Sequence, residues 1–198
     1  MFYKIIRFLL YLPIKILYPT KFINLENLPK NRAILVCNHF TLVDILILIV
    51  LIKRPLYTWA KKELFKNNFM AWCYKSMRGI PVDRINTGLS TIKKSIEVLQ
   101  NEKLLCIFPE GTRNNTNQEK IKIKNGVILV ALKAKSPIIP SIFIKKPKIF
   151  TQNYLIIGQP VSLDKFYNGE NNKKILSDAG KCLSEKMEEL RNNFFKNS

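Results

Sequence analysis

The sequence has little histidine, cysteine or glycine. Its single histidine, His39, excludes any catalytic or metal site that needs two histidines. The four cysteines (Cys37, Cys73, Cys106 and Cys182) form no Cys-x-x-Cys pair, so we expect no zinc site and interpret them as reduced thiols of a cytosolic chain. With only seven glycines, a collagen-like chain is excluded as well.

Acidic residues are also scarce. There are 14 of them against 33 lysines and arginines, which gives a formal net charge of +19. This excess indicates an anionic partner, which could be nucleic acid, a membrane surface or a phosphorylated substrate. Part of it also fits the codon bias of an AT-rich genome, because lysine, asparagine and isoleucine are all abundant. Hydrophobic residues make up 47% of the chain, so we expect one folded domain with a real core.

The N-terminal region lacks an apolar run long enough to span a bilayer. Its uncharged stretch 8–14 is far shorter than the roughly 20 residues required. Lys15 interrupts the apolar segment and no Ala-x-Ala-like site follows, which argues against a cleaved signal peptide. At about 100° per residue, Lys4, Arg7 and Lys15 fall within an arc of about 80°.

Apolar side chains lie largely on the other side of this helix: Phe2, Ile5, Leu9, Leu12 and Ile16. We therefore predict that residues 1–24 form an amphipathic segment that lies in the plane of a membrane. A helix docked on the protein core and a poor membrane-spanning helix are the alternatives. Residues 25–198 would form the rest of the protein.

Residues 25–198 alternate between short apolar strands and amphipathic helices. The predicted strands cover residues 32–37, 56–60, 79–83, 104–108, 137–144 and 154–158. The predicted helices cover residues 42–52, 66–77, 87–101, 125–134 and 172–195. This alternation predicts a single α/β domain with a mixed, mostly parallel central sheet flanked by helices.

One candidate catalytic pair follows the first buried strand. Asn38 and His39 come at the end of that strand, and Asp44 falls in the first turn of the next predicted helix. If His39 lies in the connecting turn, Asp44 can reach back to its ring and leave the other ring nitrogen as a general base. The His-x4-Asp spacing is weak by itself, because a capped helix beside an incidental histidine gives the same pattern.

A second candidate is Arg84, which follows the segment Gly79-Ile-Pro-Val-Asp83. An arginine after a tight strand that contains Gly and Pro is suited to binding a phosphate through two parallel N–H groups. A surface ion pair between Asp83 and Arg84 explains the same residues.

A third candidate is the turn Phe108-Pro-Glu-Gly-Thr-Arg113, which follows another buried strand. Gly111, Thr112 and Arg113 offer backbone, hydroxyl and guanidinium donors, a combination suited to a phosphate. Glu110 is placed to bind a substrate hydroxyl or to fix an arginine. An ordinary turn with an exposed ion pair is the alternative.

Together these segments resemble the lysophosphatidic acid acyltransferase family, also called 1-acylglycerol-3-phosphate acyltransferases. Four blocks stand in the family's order and at its usual distances: Asn38-His39…Asp44, Gly79-Ile-Pro-Val-Asp-Arg84, Phe108-Pro-Glu-Gly-Thr-Arg113 and Ile138-Ile-Pro140. The segments Lys61-Lys-Glu-Leu-Phe65 and Gly158-Gln-Pro160 are also similar to it. The joint match is far more specific than any single block.

The resemblance implies acyl transfer from a thioester, acyl-CoA or acyl carrier protein, to the sn-2 hydroxyl of lysophosphatidic acid. The product would be phosphatidic acid for phospholipid biosynthesis. His39 would be the base, and Asp44 would orient it and stabilise its cation, without an acyl-enzyme. The implied substrate-binding residues are Lys61, Arg84, Glu110, Gly111, Thr112 and Arg113.

No metal or cofactor is implied, and the expected partners are a lysophospholipid, the acyl donor and an anionic membrane surface. We expect a peripheral or monotopic enzyme on the cytoplasmic face of the cell membrane. The apolar segment 42–52 begins beside the catalytic pair, so we also predict that it walls an acyl-chain tunnel. Ile45 and Leu48 would then control the chain length.

The chain departs from the family's pattern at two positions. Thr41 stands where serine is usual, which keeps a hydroxyl, and Phe40 replaces a commonly polar residue. Glycerol-3-phosphate, another lysophospholipid and a lyso-ornithine lipid are therefore alternative acceptors. A basic nucleic-acid-binding module is a remote alternative, because the aromatic residues are dispersed and we find no nucleic-acid motif. A catalytically inactive relative is disfavoured by the intact His39 and Asp44.

Overall fold

A computed structural model of the protein describes residues 2–83, 87–113, 121–166 and 173–196. Within these ranges seven strands are present: β1 (Thr20–Ile23), β2 (Ala33–Cys37), β3 (Leu56–Lys61), β4 (Gly79–Val82), β5 (Leu104–Ile107), β6 (Ile138–Phe143) and β7 (Asn153–Ile157). The α-helices of the same ranges are α1 (Phe2–Leu17), α2 (Leu42–Leu51), α3 (Asn68–Ser76), α4 (Leu89–Gln100), α5 (Asn125–Ala134) and α6 (Lys173–Lys196). Short 3-10 helices cover Leu25–Asn27, Lys62–Phe65 and Asp164–Phe166.

The strands form one sheet in the order β1-β7-β6-β2-β5-β3-β4. Neighbouring strands are parallel except β6 and β7, which are antiparallel. The predicted α/β domain with a mixed, mostly parallel sheet is therefore confirmed. Because β2, β3, β4 and β5 are parallel, their carboxyl ends meet at one edge of the sheet, where α/β proteins commonly bind ligands.

Both faces of the sheet are covered, as a parallel sheet requires. Every residue of β2 is buried, with Ile34 and Val36 in the core beneath α4, α5 and α6. Leu35 and Cys37 pack on the opposite side, in the core that includes α2 and the inner face of α1. The loop after β2 therefore lies between two well-packed layers, which gives its side chains fixed positions.

Sequence patterns placed most elements within two residues of their observed ends. The exception is β1, which was not predicted. It has four residues, one of them the exposed Lys21, and it lies at the edge of the sheet beside β7. Such a short, mixed segment lacks the alternation that identifies a strand, and only its pairing with β7 makes it one.

The inner side of α1 docks on α2 and β3. Tyr3 and Ile14 are buried there, and the backbone N–H of Leu56 donates to the Tyr3 hydroxyl at 3.1 Å. Arg7 donates to the carbonyl oxygens of Val50 and Lys53 at 3.2 and 2.8 Å, and these two residues lie on either side of Leu51, where α2 ends. The guanidinium thus satisfies carbonyls at a helix C-terminus. Arg7 was predicted to belong to a narrow cationic edge of a membrane helix, but its guanidinium binds the protein.

The outer side of α1 carries an exposed apolar row, here called the α1 stripe: Ile5, Phe8, Leu9, Leu12 and Ile16. The most exposed of them is Phe8, at 80%. Across the part of the chain that the structure describes, no helix combines the length and apolarity needed to cross a bilayer. The boundary predicted after residue 24 stays a prediction.

Candidate active site

His39 and Asp44 form a buried pair at the carboxyl end of β2. The Nδ1 atom of His39 lies 2.9 Å from Oδ2 of Asp44, and the Asp44 side chain is fully buried. The same oxygen accepts the backbone N–H groups of Phe40 and Thr41 at 2.6 and 2.8 Å. The Thr41 hydroxyl donates to Oδ1 at 2.8 Å.

This geometry follows from the local sequence. Thr41 is the N-cap of α2 and Asp44 is the third residue of the helix, which is the arrangement of a capping box. The carboxylate therefore turns back over the start of the helix and meets the ring of His39. With Nδ1–H donating to Asp44, the Nε2 lone pair is the one that can accept a proton.

Asn38 fastens this turn to the next strand of the sheet. Its amide NH2 donates to the carbonyl oxygen of Phe143 at 2.9 Å, and its carbonyl oxygen accepts the Phe143 N–H at 2.8 Å. Asn38 is almost fully buried. The paired bonds hold the end of β2 to the end of β6 and so fix the backbone that carries His39.

Phe108 covers one face of the His39 ring. The two ring centroids are 4.0 Å apart and the ring planes differ by 18°. Phe108 directly follows β5, the strand that pairs with β2, so the sheet itself brings the two rings together. Stacking and the Asp44 bond together leave the imidazole little rotational freedom.

The turn after Phe108 depends on glycine. Gly111 has φ +69°, and its N–H donates to the Phe108 carbonyl at 3.2 Å. A Cβ atom at Gly111 would lie 2.6 Å from Nζ of Lys124. Lys124 thus lies directly against the turn, and its own backbone N–H donates to the Pro109 carbonyl at 3.2 Å.

Glu110 is half-buried in this turn. Its Oε1 atom is buried and has no hydrogen-bond partner among the described residues. Burial raises the pKa of Glu110 to about 7; the charge of Asp44 acts in the same direction and the charge of Arg191 opposes both. A carboxyl group with this pKa changes its charge near neutral pH.

A cavity of about 200 Å³ opens beside the pair. Its walls are mostly apolar side chains of α2, β3, α3 and β4, together with polar side chains that include His39, Lys61, Asp83 and Lys124. The lining residues are His39, Leu42, Ile45, Leu46, Ile49, Thr58, Trp59, Ala60, Lys61, Leu64, Tyr74, Met77, Gly79, Val82, Asp83, Thr87, Phe108, Pro109, Gly111 and Lys124. An apolar pocket with a buried base suits a substrate that has a long hydrocarbon part and a reactive polar head.

Comparison with known proteins shows which family this chain belongs to. A family model described as Acyltransferase matches residues 19–144, which include His39, Asp44 and the turn from Phe108 to Arg113. The chain belongs to the acyltransferase family. The match extends over more than half of the chain.

Acyltransferases of several organisms are similar to this chain. A 1-acyl-sn-glycerol-3-phosphate acyltransferase of Bacillus subtilis is 32% identical over 183 residues, which cover 87% of this chain and 88% of that protein. The enzyme of the same name from Saccharomyces cerevisiae is 27% identical, over 80% of this chain and 52% of its own length. The crystal structure of the 1-acyl-sn-glycerophosphate acyltransferase PlsC from Thermotoga maritima superimposes with a TM-score of 0.62 at 26% identity, covering 86% of this chain and 70% of that one.

The structure brings most of the predicted site residues of this acyltransferase to one edge of the sheet. Lys61 ends β3 and lines the cavity, with Nζ 3.9 Å from a Glu63 carboxylate oxygen. Thr112 and Arg113 are exposed and do not line the cavity. Arg84 lies outside the described residues, while its neighbour Asp83 pairs with Lys62.

Two expectations about α2 have different outcomes. Ile45 lines the cavity, as expected for a wall of the predicted tunnel. Leu48 does not line it and is fully buried in the core between α2 and the sheet. The assignment of Leu48 to the tunnel is therefore wrong, because the cavity runs along only part of the helix surface.

Two residues of the site were missed from the sequence. Lys124 belongs to no recognisable motif. The only feature of the sequence that could have pointed to it is its position just before α5, which begins Asn125-Gly126. Phe108 was seen as part of a motif, but its stacking on His39 depends on the neighbouring positions of β2 and β5. In the described ranges no three His, Cys, Asp or Glu side chains cluster as metal ligands.

Proposed function

We propose that this acyltransferase moves an acyl chain from acyl-CoA or acyl carrier protein to the sn-2 hydroxyl of lysophosphatidic acid, giving phosphatidic acid. The observation that carries the proposal is that His39, held by the buried Asp44, lines an apolar cavity in a member of the acyltransferase family. The relatives named above carry this activity in their names. The chain spans 88% of the Bacillus protein but only about half of the yeast protein.

The reaction needs one proton acceptor, and His39 supplies it. Nε2 takes the proton of the acceptor hydroxyl while its oxygen attacks the thioester carbonyl carbon. The tetrahedral intermediate collapses with cleavage of the carbon–sulfur bond, and the imidazolium returns the proton to the departing thiolate. Asp44 keeps Nδ1 protonated and stabilises the transient positive charge on the ring.

The acceptor phosphate is assigned to basic residues around the turn. Lys61 lines the cavity, and Arg113 follows the turn in which Gly111 and Thr112 supply further donors. Arg84 belongs to the same proposed set by its motif. Glu110 is assigned to a hydroxyl of the glycerol part by its motif, and its half-buried carboxyl is close enough to the site for the charge of Asp44 to raise its pKa.

Membrane attachment is part of this proposal, since the acceptor is a lipid. The α1 stripe presents exposed apolar side chains, and no acidic residue precedes Glu26. Lys4 and Lys15 are exposed on the same helix. An in-plane helix of this kind attaches a protein to an anionic surface through apolar insertion and charge. We place the enzyme on the cytoplasmic face of the cell membrane as a peripheral or monotopic protein.

A direct assay tests the activity. Purified protein on lipid vesicles receives lysophosphatidic acid and labelled acyl-CoA or acyl carrier protein, and labelled phosphatidic acid is measured. We expect product with at least one donor, and His39→Gln and Asp44→Asn should each lower kcat by about a thousandfold or more. Near-full activity of His39→Gln would contradict the assignment of the base. Parallel reactions with glycerol-3-phosphate, other lysophospholipids and a lyso-ornithine lipid decide the acceptor.

A second arm tests the phosphate site. Arg113→Ala should raise the KM for lysophosphatidic acid more than the KM for the donor, because only the acceptor phosphate is assigned to it. The control is Arg32→Ala, whose side chain is partly exposed and pairs with Glu102 at 3.0 Å. Equal changes in both KM values for Arg113→Ala would remove it from the phosphate site.

A further inference from the structure

The turn between β6 and β7 exposes two large apolar side chains. Ile149 is 52% exposed and Phe150 is 74% exposed. Lysines precede them at 145, 146 and 148, and all three are exposed. We call residues 145–150 the β6–β7 turn. Neither Ile149 nor Phe150 belongs to either core cluster.

The backbone of this turn is held firmly. Pro147 is buried at its base. The side-chain carbonyl of Asn153 accepts the N–H of Lys148 at 2.9 Å, and its amide donates to the carbonyl oxygens of Lys148, Thr151 and Pro19 at 3.1, 2.9 and 3.2 Å. The N–H of Phe150 donates to the Leu17 carbonyl at 2.8 Å. The exposure of Ile149 and Phe150 is therefore a fixed property of the fold.

Phe150 adopts an unusual backbone conformation. Its φ is +53°, in the left-handed region that bulky residues rarely occupy. An aromatic residue in this region that gains no packing in return is strained without a structural benefit. A glycine or asparagine would meet the backbone requirement, so the choice of an exposed phenyl group calls for a contact outside the chain.

The position of the turn identifies that contact. The bond from Phe150 to Leu17 places the turn against the C-terminal end of α1, where the α1 stripe ends at Ile16. The turn also follows β6, whose last residue, Phe143, is bonded to Asn38 beside the catalytic histidine. The turn therefore lies next to the end of the α1 stripe and follows the end of β6 at the active-site edge of the sheet.

Charge favours one kind of partner. Residues 121–163 contain no aspartate or glutamate, and the turn itself contributes three lysines within four positions. A basic, apolar-tipped projection matches an anionic bilayer, whose headgroups attract lysine while its interior accepts phenyl and butyl groups.

We propose that the β6–β7 turn is a second membrane contact of this enzyme, at which Ile149 and Phe150 insert into an anionic bilayer. Lys145, Lys146 and Lys148 would lie at the headgroups. Together with α1, this contact fixes the enzyme at two points and turns the active-site edge toward the lipid. The inference rests on the proposed function insofar as the acceptor is a membrane lipid.

The first test measures vesicle binding by co-sedimentation, without any activity assay. The double variant Ile149→Ser/Phe150→Ser is compared with Phe195→Ser, which removes a 53% exposed aromatic from α6 on the opposite face of the sheet. On vesicles of equal parts phosphatidylcholine and phosphatidylglycerol, we expect the double variant to bind about tenfold more weakly. Phe195→Ser should bind like the unmodified protein.

The second test concerns charge. Replacing Lys145, Lys146 and Lys148 by Gln should weaken binding to the same vesicles by about fivefold per lysine. The change should be small on pure phosphatidylcholine and should diminish as salt is added. The control replaces three exposed lysines of the opposite face, Lys93, Lys133 and Lys181, by Gln.

Several outcomes would overturn the proposal. It fails if the Ser variant and the unmodified protein bind vesicles equally, or if both lysine sets have equal effects. It also fails if the lysine variant loses only the reaction with acyl carrier protein, because the turn would then be a docking site for that acidic protein. Circular dichroism of each variant verifies that it is folded. Failure of the proposed function is a different result, namely no phosphatidic acid from the unmodified protein.

Discussion

The rings of His39 and Phe108 stack with their centroids 4.0 Å apart, although the two residues follow different strands of the sheet. Asp44 holds the same imidazole through Nδ1 at 2.9 Å. One contact fixes the direction of the ring nitrogens and the other fixes the plane of the ring. The base is thus oriented by a polar contact from the first turn of the helix that follows it and by an apolar contact that depends on the order of the strands in the sheet.

Replacing Phe108 therefore tests whether its ring orients the imidazole of His39. Phe108→Leu keeps an apolar side chain but removes the flat surface beneath the imidazole. We expect kcat to fall about tenfold with little change in the acceptor KM, because misplacing a reacting group by a fraction of an ångström slows the chemical step. Phe108→Tyr retains the ring and should retain most of the activity in the same steady-state assay. Equal losses in Leu and Tyr variants would contradict the orienting role.

Glu110 should make stability depend on pH. Its pKa rises from an ordinary 4.5 to about 7 in the folded protein, mainly through burial. The stabilisation from its protonated form is fully present below about pH 4.5 and is lost as the pH rises through about 7. The reason is that the carboxyl loses its proton at a lower pH in the unfolded chain than in the folded protein. We expect the unfolding free energy of the protein, relative to that of Glu110→Gln, to fall between about pH 4.5 and pH 7. Urea denaturation at each pH measures the difference, in which other titrating groups cancel.

The charge of Arg191 provides the control for this pH dependence. It lowers the pKa of Glu110 against the effect of burial, so Arg191→Gln should move the midpoint of the stability difference to higher pH. Lys103→Gln, which removes an exposed cation next to the start of β5, should leave it in place. A pH-independent difference between the protein and Glu110→Gln would show that the carboxyl is not desolvated.

Gly111 should resist substitution for two separable reasons. Its φ of +69° disfavours any side chain, and a Cβ atom would lie 2.6 Å from Nζ of Lys124. Gly111→Ala should lower the unfolding free energy by about 1–2 kcal/mol. Gly88→Ala is the matched control, since its φ is −67° and its Cβ would meet no atom closer than 3.9 Å.

A double variant separates the two causes at Gly111. Adding Lys124→Ala to Gly111→Ala removes the close contact but leaves the backbone strain. Because the contact involves the end of a flexible side chain, we expect recovery of only a small part of the lost stability in chemical denaturation. Full recovery would show that the steric contact, and not the backbone, requires glycine at this position.

The sequence predicted those features of the fold and the site that depend on residues close together along the chain. The His39–Asp44 contact joins residues of one turn and the helix that follows it, and continuous apolar runs identified β2 and β5. Contacts between distant segments could not be foreseen. The stacking of Phe108 on His39 requires β2 and β5 to be neighbours. The approach of Lys124 to Gly111 requires α5 to begin at the edge of the sheet where β5 ends. Arg7 was interpreted as a surface cation because the carbonyl groups that it binds, those of Val50 and Lys53, lie more than 40 residues away in the sequence.

The cavity gives a sharper test of chain-length selection than the sequence did. Ile45 lines the cavity, whereas Leu48, on the same helix, is fully buried away from it. Ile45→Phe should shift the preference among saturated acyl-CoA donors toward shorter chains, because the added ring occupies space along the proposed acyl path. Leu48→Phe is the control, and overpacking of the core should cost it about 1–3 kcal/mol of stability without changing the preference. Competition among donors of different length, scored by mass spectrometry of the products, measures both. Unchanged selectivity in Ile45→Phe, or an equal shift in Leu48→Phe, would show that this cavity does not hold the acyl chain.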